Sequence, residues 1–512
     1  MNNKQTYNSP IIKIILFMLL ISAYSYAEPD FHLLMTLQGE SPGDAFSTVV
    51  GLGDFNQDGY DDFAVGAWDW QGNYVNIYYG SSSPDTNAIL KLTGKSGFGR
   101  SLASGDFNGD GVPDLIVGAP YANGTYGQVS IYFGGEGFTG IPDIIIDGTV
   151  YYAFFGISIA NAGDINGDGY EDFIIGADAA WETTGYVYIY FGGPEINGEW
   201  DYCFEGLLNE RIGYSIDGLG DINHDGYDDI IVGTFSNKAY IIYGNKTLCD
   251  NSIIEIPGDS TGHFGRFVSS VGDINNNITP EYLIKSFNHV LLYSEKPDSP
   301  LYIKEISLSS IKNIIAPIDF NKDEINDLIL VEYDSVFAFI GNSNFCIDNA
   351  DYYFSLPADT SYKLPKMRIF SYGDIGDING DGTNEIAFGF TGQYVSDNPH
   401  VEPTYGKVFI YTFGEYSDVK EKTVPTGYHL KQNYPNPFNA RTTITFTIQD
   451  PGFVELSVYD IKGSLISVLE KHHLSSGNHT YTFDAEGLSS GIYLYKLSCN
   501  NQSVIKKMAF IK

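Results

Sequence analysis

From residue 31 onward, apolar stretches of strand length alternate with polar clusters rich in Gly, Asn and Asp. FFGISIANAG (154–163), DFIIGA (172–177), GYVYIYFGG (185–193) and WDYCFEG (200–206) form one set of four. Runs this short, enriched in Val, Ile, Tyr and Phe and bounded by turn formers, predict strands rather than helices. An acidic loop, GDINGDGYED, separates the first two. Its pattern, D-x-N-x-D-G-x-x-D/E, returns from Gly53, Gly105, Gly220 and Gly376, with degenerate copies from Gly272 and Ile318. The first aspartates stand at 54, 106, 164, 221, 273, 319 and 377, a spacing of 46 to 58 residues. That period accommodates about four short strands with their turns. Seven such units predict an all-β fold, a seven-bladed β-propeller over residues 28–414.

The chain ends test that count. The seventh unit stops after a third strand, KVFIYTFG (407–414), while FHLLMTLQG (31–39) precedes the first acidic loop as LKLTG (90–94) precedes the second. The N-terminal run is therefore expected to supply the fourth strand of the last blade and close the ring.

The loop has the chemistry of a hard-cation site. Calcium takes six or seven oxygens, and alternate residues of a tight loop can aim side chains inward around a turn-forming glycine. The expected ligand sets are Asp54, Asn56, Asp58, Tyr60 and Asp62; Asp106, Asn108, Asp110, Val112 and Asp114; Asp164, Asn166, Asp168, Tyr170 and Asp172; Asp221, Asn223, Asp225, Tyr227 and Asp229; and Asp377, Asn379, Asp381, Thr383 and Glu385. In each, the fourth-named residue offers its backbone carbonyl. Asp319, Asn321, Asp323 and Asp327 form a weaker set because Glu324 replaces the glycine, and the loop at 273 departs further. About five Ca²⁺ sites, up to seven, are expected. An EF-hand needs Glu at position twelve and flanking helices, whereas position twelve of the third loop is Ile175, inside a strand. The bland alternative is an Asx-rich turn without metal.

Charge changes the picture of partners. With 64 acidic against 28 basic residues the formal net charge is −36, which disfavours nucleic acid. If the acidic loops occupy one face of the propeller, the second turns occupy the other. They carry Trp68, Trp70, Tyr121 and Trp181, joined by a long loop at 391–406. Such aromatics could stack on sugars or anchor a protein, or could simply pack over neighbouring blades. No catalytic constellation is legible: the histidines have no nucleophile or acid at triad spacing, and GLSSG (487–491) leads into a strand where a nucleophile elbow must open a helix. The expected function is extracellular binding of a glycan or protein, with adhesion as one such role. An extracellular hydrolase or carbohydrate-targeting accessory is the alternative.

Both ends point to export. Lys4 and Lys13 precede or open an apolar stretch, Ile14–Ala23, followed by Ser25-Tyr26-Ala27, so residues 1–27 read as a signal peptide and no later segment is expected to span a membrane. Cys203, Cys249, Cys346 and Cys499 fit no metal or redox spacing. After a linker at 415–427 the charge bias vanishes, with eight basic and six acidic residues from Tyr428 on. TTITFTI, FVELSVYD, HTYTFDA and IYLYKLS predict a small β-sandwich over 428–512.

Phased elements flank the loops: Phe98-Gly99, Phe155-Gly156 and Phe264-Gly265 before them, and Gly118-Ala119-Pro120, Gly66-Ala67 and Gly176-Ala177 after. The repeat region thus resembles the FG-GAP repeats of integrin α-chain propellers and their bacterial relatives, which implies the propeller fold without naming a ligand. NYPNPFN (433–439), VYDIKG (458–463), LSSGIYLYKL (488–497) and the terminal KKMAFIK resemble the type A sorting domain of the bacterial type IX secretion system. That resemblance implies the type IX machinery as partner, and secretion or display at the cell surface.

Overall fold

In the computed structural model the apolar runs pair into nine sheets. Described are residues 31–512 apart from 70–71, 179–183, 249–251, 259–263, 287–289, 295–300, 307–312, 333–334, 344, 346–349, 357–367, 392–404, 415–427, 432, 434–437, 449–451, 461–464, 476, 486, 489 and 500–501. The readings of 1–27 as signal peptide, of 415–427 as linker, and of Trp70, Trp181, Cys249, Cys346 and most of the 391–406 loop lie outside the described residues. The chain divides into two compact units between Glu415 and Tyr416.

The first unit is the expected ring. Blades 1 to 6 are four-stranded antiparallel meanders in chain order, beginning at Phe46, Ser101, Ser158, Ile216, Phe267 and Asn313. Blade 7 takes Arg368–Asp374, Ile386–Thr391 and Lys407–Phe413 from the C-terminal side of the ring, and its outer strand is Phe31–Gln38. Phe31 pairs with Phe413 and Gln38 with Lys407, so the two ends of the ring are closed by one ladder.

Burial explains the composition of each strand. The first strands of successive blades touch one another all the way round, from blade 1 to blade 7 and back, and so line the axis. Second strands such as DFAVGA, DLIVGA and DFIIGA are buried at every position, because neighbouring blades cover both their faces. Continuous apolar runs rather than alternation are what such a position requires. Fourth strands such as Leu90–Thr93 and Ile144–Asp147 face solvent on one side and alternate accordingly. Cys203, in the outer strand of blade 3, is a half-buried free thiol whose ionisation burial pushes up to about 11.

The second unit is a two-sheet sandwich. Tyr428–Leu430, Arg441–Ile448 and Gly477–Asp484 form one sheet; Leu465–Leu474, Gly452–Asp460, Gly491–Cys499 and Gln502–Phe510 form the other. Ile444 and Phe446 of the first meet Leu456, Tyr495, Leu497 and Met508 of the second in one core. Three of these strands, at 428–430, 465–474 and 502–510, are additional to the four read from sequence. LISVLEKHHL escapes notice because it is an edge strand with no buried position, so it lacks the alternation that betrays a strand. Among the described residues no helix is long and apolar enough to cross a membrane.

Candidate metal loops and the opposite face

Each acidic loop joins the first strand of a blade to its second. Numbering positions from the first aspartate, position 2 (Phe55, Phe107, Ile165, Ile222, Ile274, Phe320, Ile378) is a buried plug that pins the loop to the core. With that anchor fixed, the polar positions organise around it.

At position 1 the carboxylate accepts two backbone N–H groups, from positions 5 and 6. For Asp54 these are Asp58 N at 2.8 Å and Gly59 N at 2.9 Å, and Asp106, Asp164, Asp221 and Asp377 repeat the pair within 2.8–3.1 Å. The position 5 carboxylate accepts the N–H of position 7, as Asp168 does from Tyr170 at 3.1 Å. At position 9 the carboxylate is fully buried in every loop. Asp172 accepts Ile165 N at 2.9 Å and Gly192 N at 2.8 Å, tying its own loop to the end of the third strand. Asp62, Asp114, Asp229 and Asp327 do likewise with Gly80, Gly134, Gly244 and Gly341. Glu385, one methylene longer, accepts from Ile378 N and from the Asn379 amide.

These groups are electrostatically crowded. Burial foremost, then the carboxylates at positions 1 and 5, push Asp62, Asp114 and Asp172 up to about 7, and Asp229 and Glu385 to about 8, against the backbone hydrogen bonds that pull them down.

A divalent cation fits the donor chemistry. Each carboxylate oxygen that accepts one N–H keeps a second lone pair, and Asn amide and backbone carbonyl oxygens complete a hard set. In the first loop the buried Oδ1 of Asn56, the expected third-position ligand, has no hydrogen-bond partner. The carboxylates of a loop do not converge by themselves: among the described residues no three His, Cys, Asp or Glu side chains form a cation cluster.

The degenerate loops keep the same frame at a cost. Asp273 accepts Asn277 N and Ile278 N, and Asp319 accepts Asp323 N and Glu324 N. Position 6, glycine elsewhere, is then forced to φ 78 at Ile278 and φ 68 at Glu324, where a Cβ meets the following carbonyl oxygen. Ile278→Gly and Glu324→Gly should each raise stability by roughly 1 kcal/mol in denaturant melts; a loss of stability would mean that the left-handed turn is not the native geometry.

Neighbouring loops also hold one another. Position 8 reaches back to the preceding loop: Asp61, Glu171 and Asp228 accept Asp377 N, Asp106 N and Asp164 N at 2.7, 2.8 and 2.8 Å. Position 7 lies over position 4 of that same loop. A Cβ on Gly380, Gly109 or Gly167 would come within 2.2–2.6 Å of the Tyr60, Tyr170 or Tyr227 ring, whereas His224 at position 4 faces Thr279 and bonds it at 2.9 Å. Sequence reading passed over both features. Their signals were the doubled acid at positions 8 and 9 and the glycine that accompanies a following tyrosine. Gly167→Ala is expected to cost about 1–3 kcal/mol through overpacking against Tyr227, and Tyr227→Ala in the same chain should recover part of it in a double-mutant cycle.

On the opposite face the predicted aromatics divide. Trp68 is half-buried with the Arg100 guanidinium 4.9 Å over its ring, so its packing partner is internal. Tyr121 is more than a third exposed and meets Phe154 edge-on at 5.9 Å. Phe154 leads into a chain of rings that sequence reading missed, Tyr152, Tyr151 and Tyr126, with centroids 4.2–6.2 Å apart. Tyr152 and Phe154 both hold positive φ, a strained conformation for bulky residues. The signal was the run TVYYAFFG.

Family models match parts of both units. The FG-GAP repeat model matches residues 46–74, 98–132 and 155–190, and the secretion system C-terminal sorting domain model matches 432–512. Integrin alpha-5 of Xenopus laevis is 32% identical over 228 residues, 40% of this chain and 21% of its own length. Integrin alpha-V of Gallus gallus is 33% identical over 214 residues, 38% and 20% respectively. Integrin alpha-7 of Homo sapiens reaches 37% over 161 residues, 30% and 13%. The matches thus span about a fifth or less of these relatives. A solved structure of BBS1N in complex with ARL6DN is similar at TM-score 0.49 and 11% identity, covering 77% of this chain and all of that one. The β-propeller therefore carries FG-GAP repeats similar to those of integrin α chains, and the C-terminal unit carries a type IX secretion sorting domain, which indicates a bacterial protein exported to the cell surface or beyond.

Proposed function

We propose that the propeller, residues 28–414, is a calcium-stabilised binding module that presents the face opposite its acidic loops to an extracellular glycan or protein, and that 428–512 delivers it there. The observation that carries the calcium reading is the repeated donor frame: seven loops with the same two amides on position 1 and the same buried position 9, five of them with glycine at position 6, and in the first loop an unpartnered Asn56 Oδ1. Asp54, Asn56, Asp58, the Tyr60 carbonyl and Asp62 would hold the ion in loop 1, and the equivalent residues in the loops at 106, 164, 221 and 377. When bound, the cation supplies neutralisation of carboxylates that otherwise crowd one another. It performs no chemistry on a ligand.

Binding is assigned to the opposite face because the loops and their inter-blade contacts occupy the first one, and because exposed rings collect at Tyr121, Tyr126 and Tyr151. Tyr121→Ala with Tyr151→Ala should abolish binding on an array of glycans and matrix proteins while leaving the melting temperature within about 1 °C, since exposed substitutions change stability little. Unimpaired binding would remove this face from consideration.

A further inference from the structure

The chain has five arginines among 28 basic residues, and four of them belong to the propeller: Arg100, Arg211, Arg266 and Arg368. All four stand at or within five residues before the start of a first strand, the innermost strand of a blade, at its end away from the acidic loops. In a chain this acidic, the three of them whose side chains are described, Arg100, Arg211 and Arg266, concentrate guanidinium groups at that end of the blades.

Two of them share one aromatic. The Arg211 and Arg266 guanidinium carbons lie 4.1 and 4.5 Å from the Phe235 ring centroid, and Tyr214 closes the group, T-shaped on Phe235 at 5.0 Å and 5.8 Å from Arg266. A guanidinium stacked on a ring keeps its N–H edge free for an in-plane, two-oxygen partner. Arg211 gives one edge nitrogen to Asp178 at 2.5 Å and holds φ 48, while its buried Nε has no hydrogen-bond partner. Arg266 is exposed, and among the described residues no carboxylate pairs with it. The other described acid nearby, Glu210, is taken by Lys238 and Tyr240. Among the described residues, the Arg266 charge beside Phe235 thus has no carboxylate partner.

Resting on the reading of this face as the ligand face, we propose that Arg211 and Arg266, stacked on Phe235 and Tyr214, form a seat for the carboxylate of an isolated acidic sugar in an otherwise neutral glycan. The neutral remainder lies along the exposed rings of Tyr121, Tyr126 and Tyr151 in the preceding blades; Phe154 and Arg211 occupy equivalent places, each directly before the Phe-Gly or Ile-Gly pair that opens its blade. A dense polyanion does not suit the site, because the field of a −36 chain repels it while only a few guanidinium groups attract it.

The test uses the full chain in calcium buffer and compares an oligosaccharide ending in one glucuronic acid with the same oligosaccharide ending in glucose, alongside polyglucuronate and poly-glutamate. The acid-terminated sugar should bind at least ten-fold tighter than its neutral counterpart. Arg211→Gln with Arg266→Gln should lower its affinity about 10- to 100-fold, the size expected for charged hydrogen bonds. The neutral sugar's affinity should not move, and Arg441→Gln should change nothing; because Arg211→Gln also takes the partner from buried Asp178, Arg266→Gln alone, which breaks no ion pair among the described residues, should weaken the acid-terminated sugar without moving the melting temperature. Equal affinity for the two sugars, or an undiminished double variant, would overturn the carboxylate seat while leaving the ligand face intact. Preference for polyglucuronate or poly-glutamate would overturn the isolated-acid reading. Absence of binding to any of the sugars would overturn the carboxylate seat, whereas the ligand face itself is tested by the array of glycans and matrix proteins.

Discussion

Phe31→Ala is expected to destabilise the propeller by about 3–5 kcal/mol, the range for emptying a buried phenylalanine site. Phe31 is 5% exposed and opens the strand that completes blade 7. Its ring centroid lies 4.9 Å from Phe413 on the adjacent strand, and 5.1, 5.0 and 5.9 Å from Phe320, Phe354 and Tyr352 of blade 6. One side chain therefore joins the ladder that closes the ring to the interface between the last two blades. Its loss leaves a cavity among four rings and weakens the pairing that spares Lys407–Phe413 from being a sheet edge. Denaturant unfolding of the mature chain measures the cost, and limited proteolysis should show earliest cleavage in blade 7. A change below about 1 kcal/mol, the ordinary cost of an unremarkable substitution, would mean that ring closure does not depend on this strand.

Chelation is expected to lower the melting temperature of the propeller by several degrees. At affinities of extracellular modules, millimolar calcium contributes about 0.4–1.4 kcal/mol per site, hence about 2–7 kcal/mol for five. The sorting unit carries none of the loops, so its own transition should stay where it is. Asp168→Ala removes one expected ligand together with its bond to Tyr170 N, and should shrink the calcium-dependent shift by about one site's share. An unchanged melt after exhaustive chelation would reduce the loops to Asx-rich turns. The glycine substitutions at positions 278 and 324 relieve backbone strain at a position that supplies no ligand side chain, so their gain should persist in the presence of chelator.

Blade number, ring closure and the place of each acidic loop were legible in the chain because each rests on local chemistry. A run of Val, Ile and Phe between turn formers is a strand wherever it lies, and D-x-N-x-D-G dictates a tight loop through side chains that bond backbone only a few residues away. The fourth strand of blade 7 could be inferred because one unit lacked it and one run was left over. In the sorting unit, Leu465–Leu474 was not legible, since an exposed edge strand carries no burial pattern.

Only the tertiary structure decided what joins the units. Position 8 was an unassigned acid until Asp61, Glu171 and Asp228 were seen on the amides of the preceding loop, 64 to 316 residues away. The pairing of Gly167 with Tyr227 and the gathering of Arg211 and Arg266 on Phe235 have the same origin. The sequence by itself determined the blade, because hydrogen bonding and periodicity within some fifty residues suffice for it. The surface between and above the blades was decided in three dimensions, since its contacts join residues whose separation along the chain leaves no period to read.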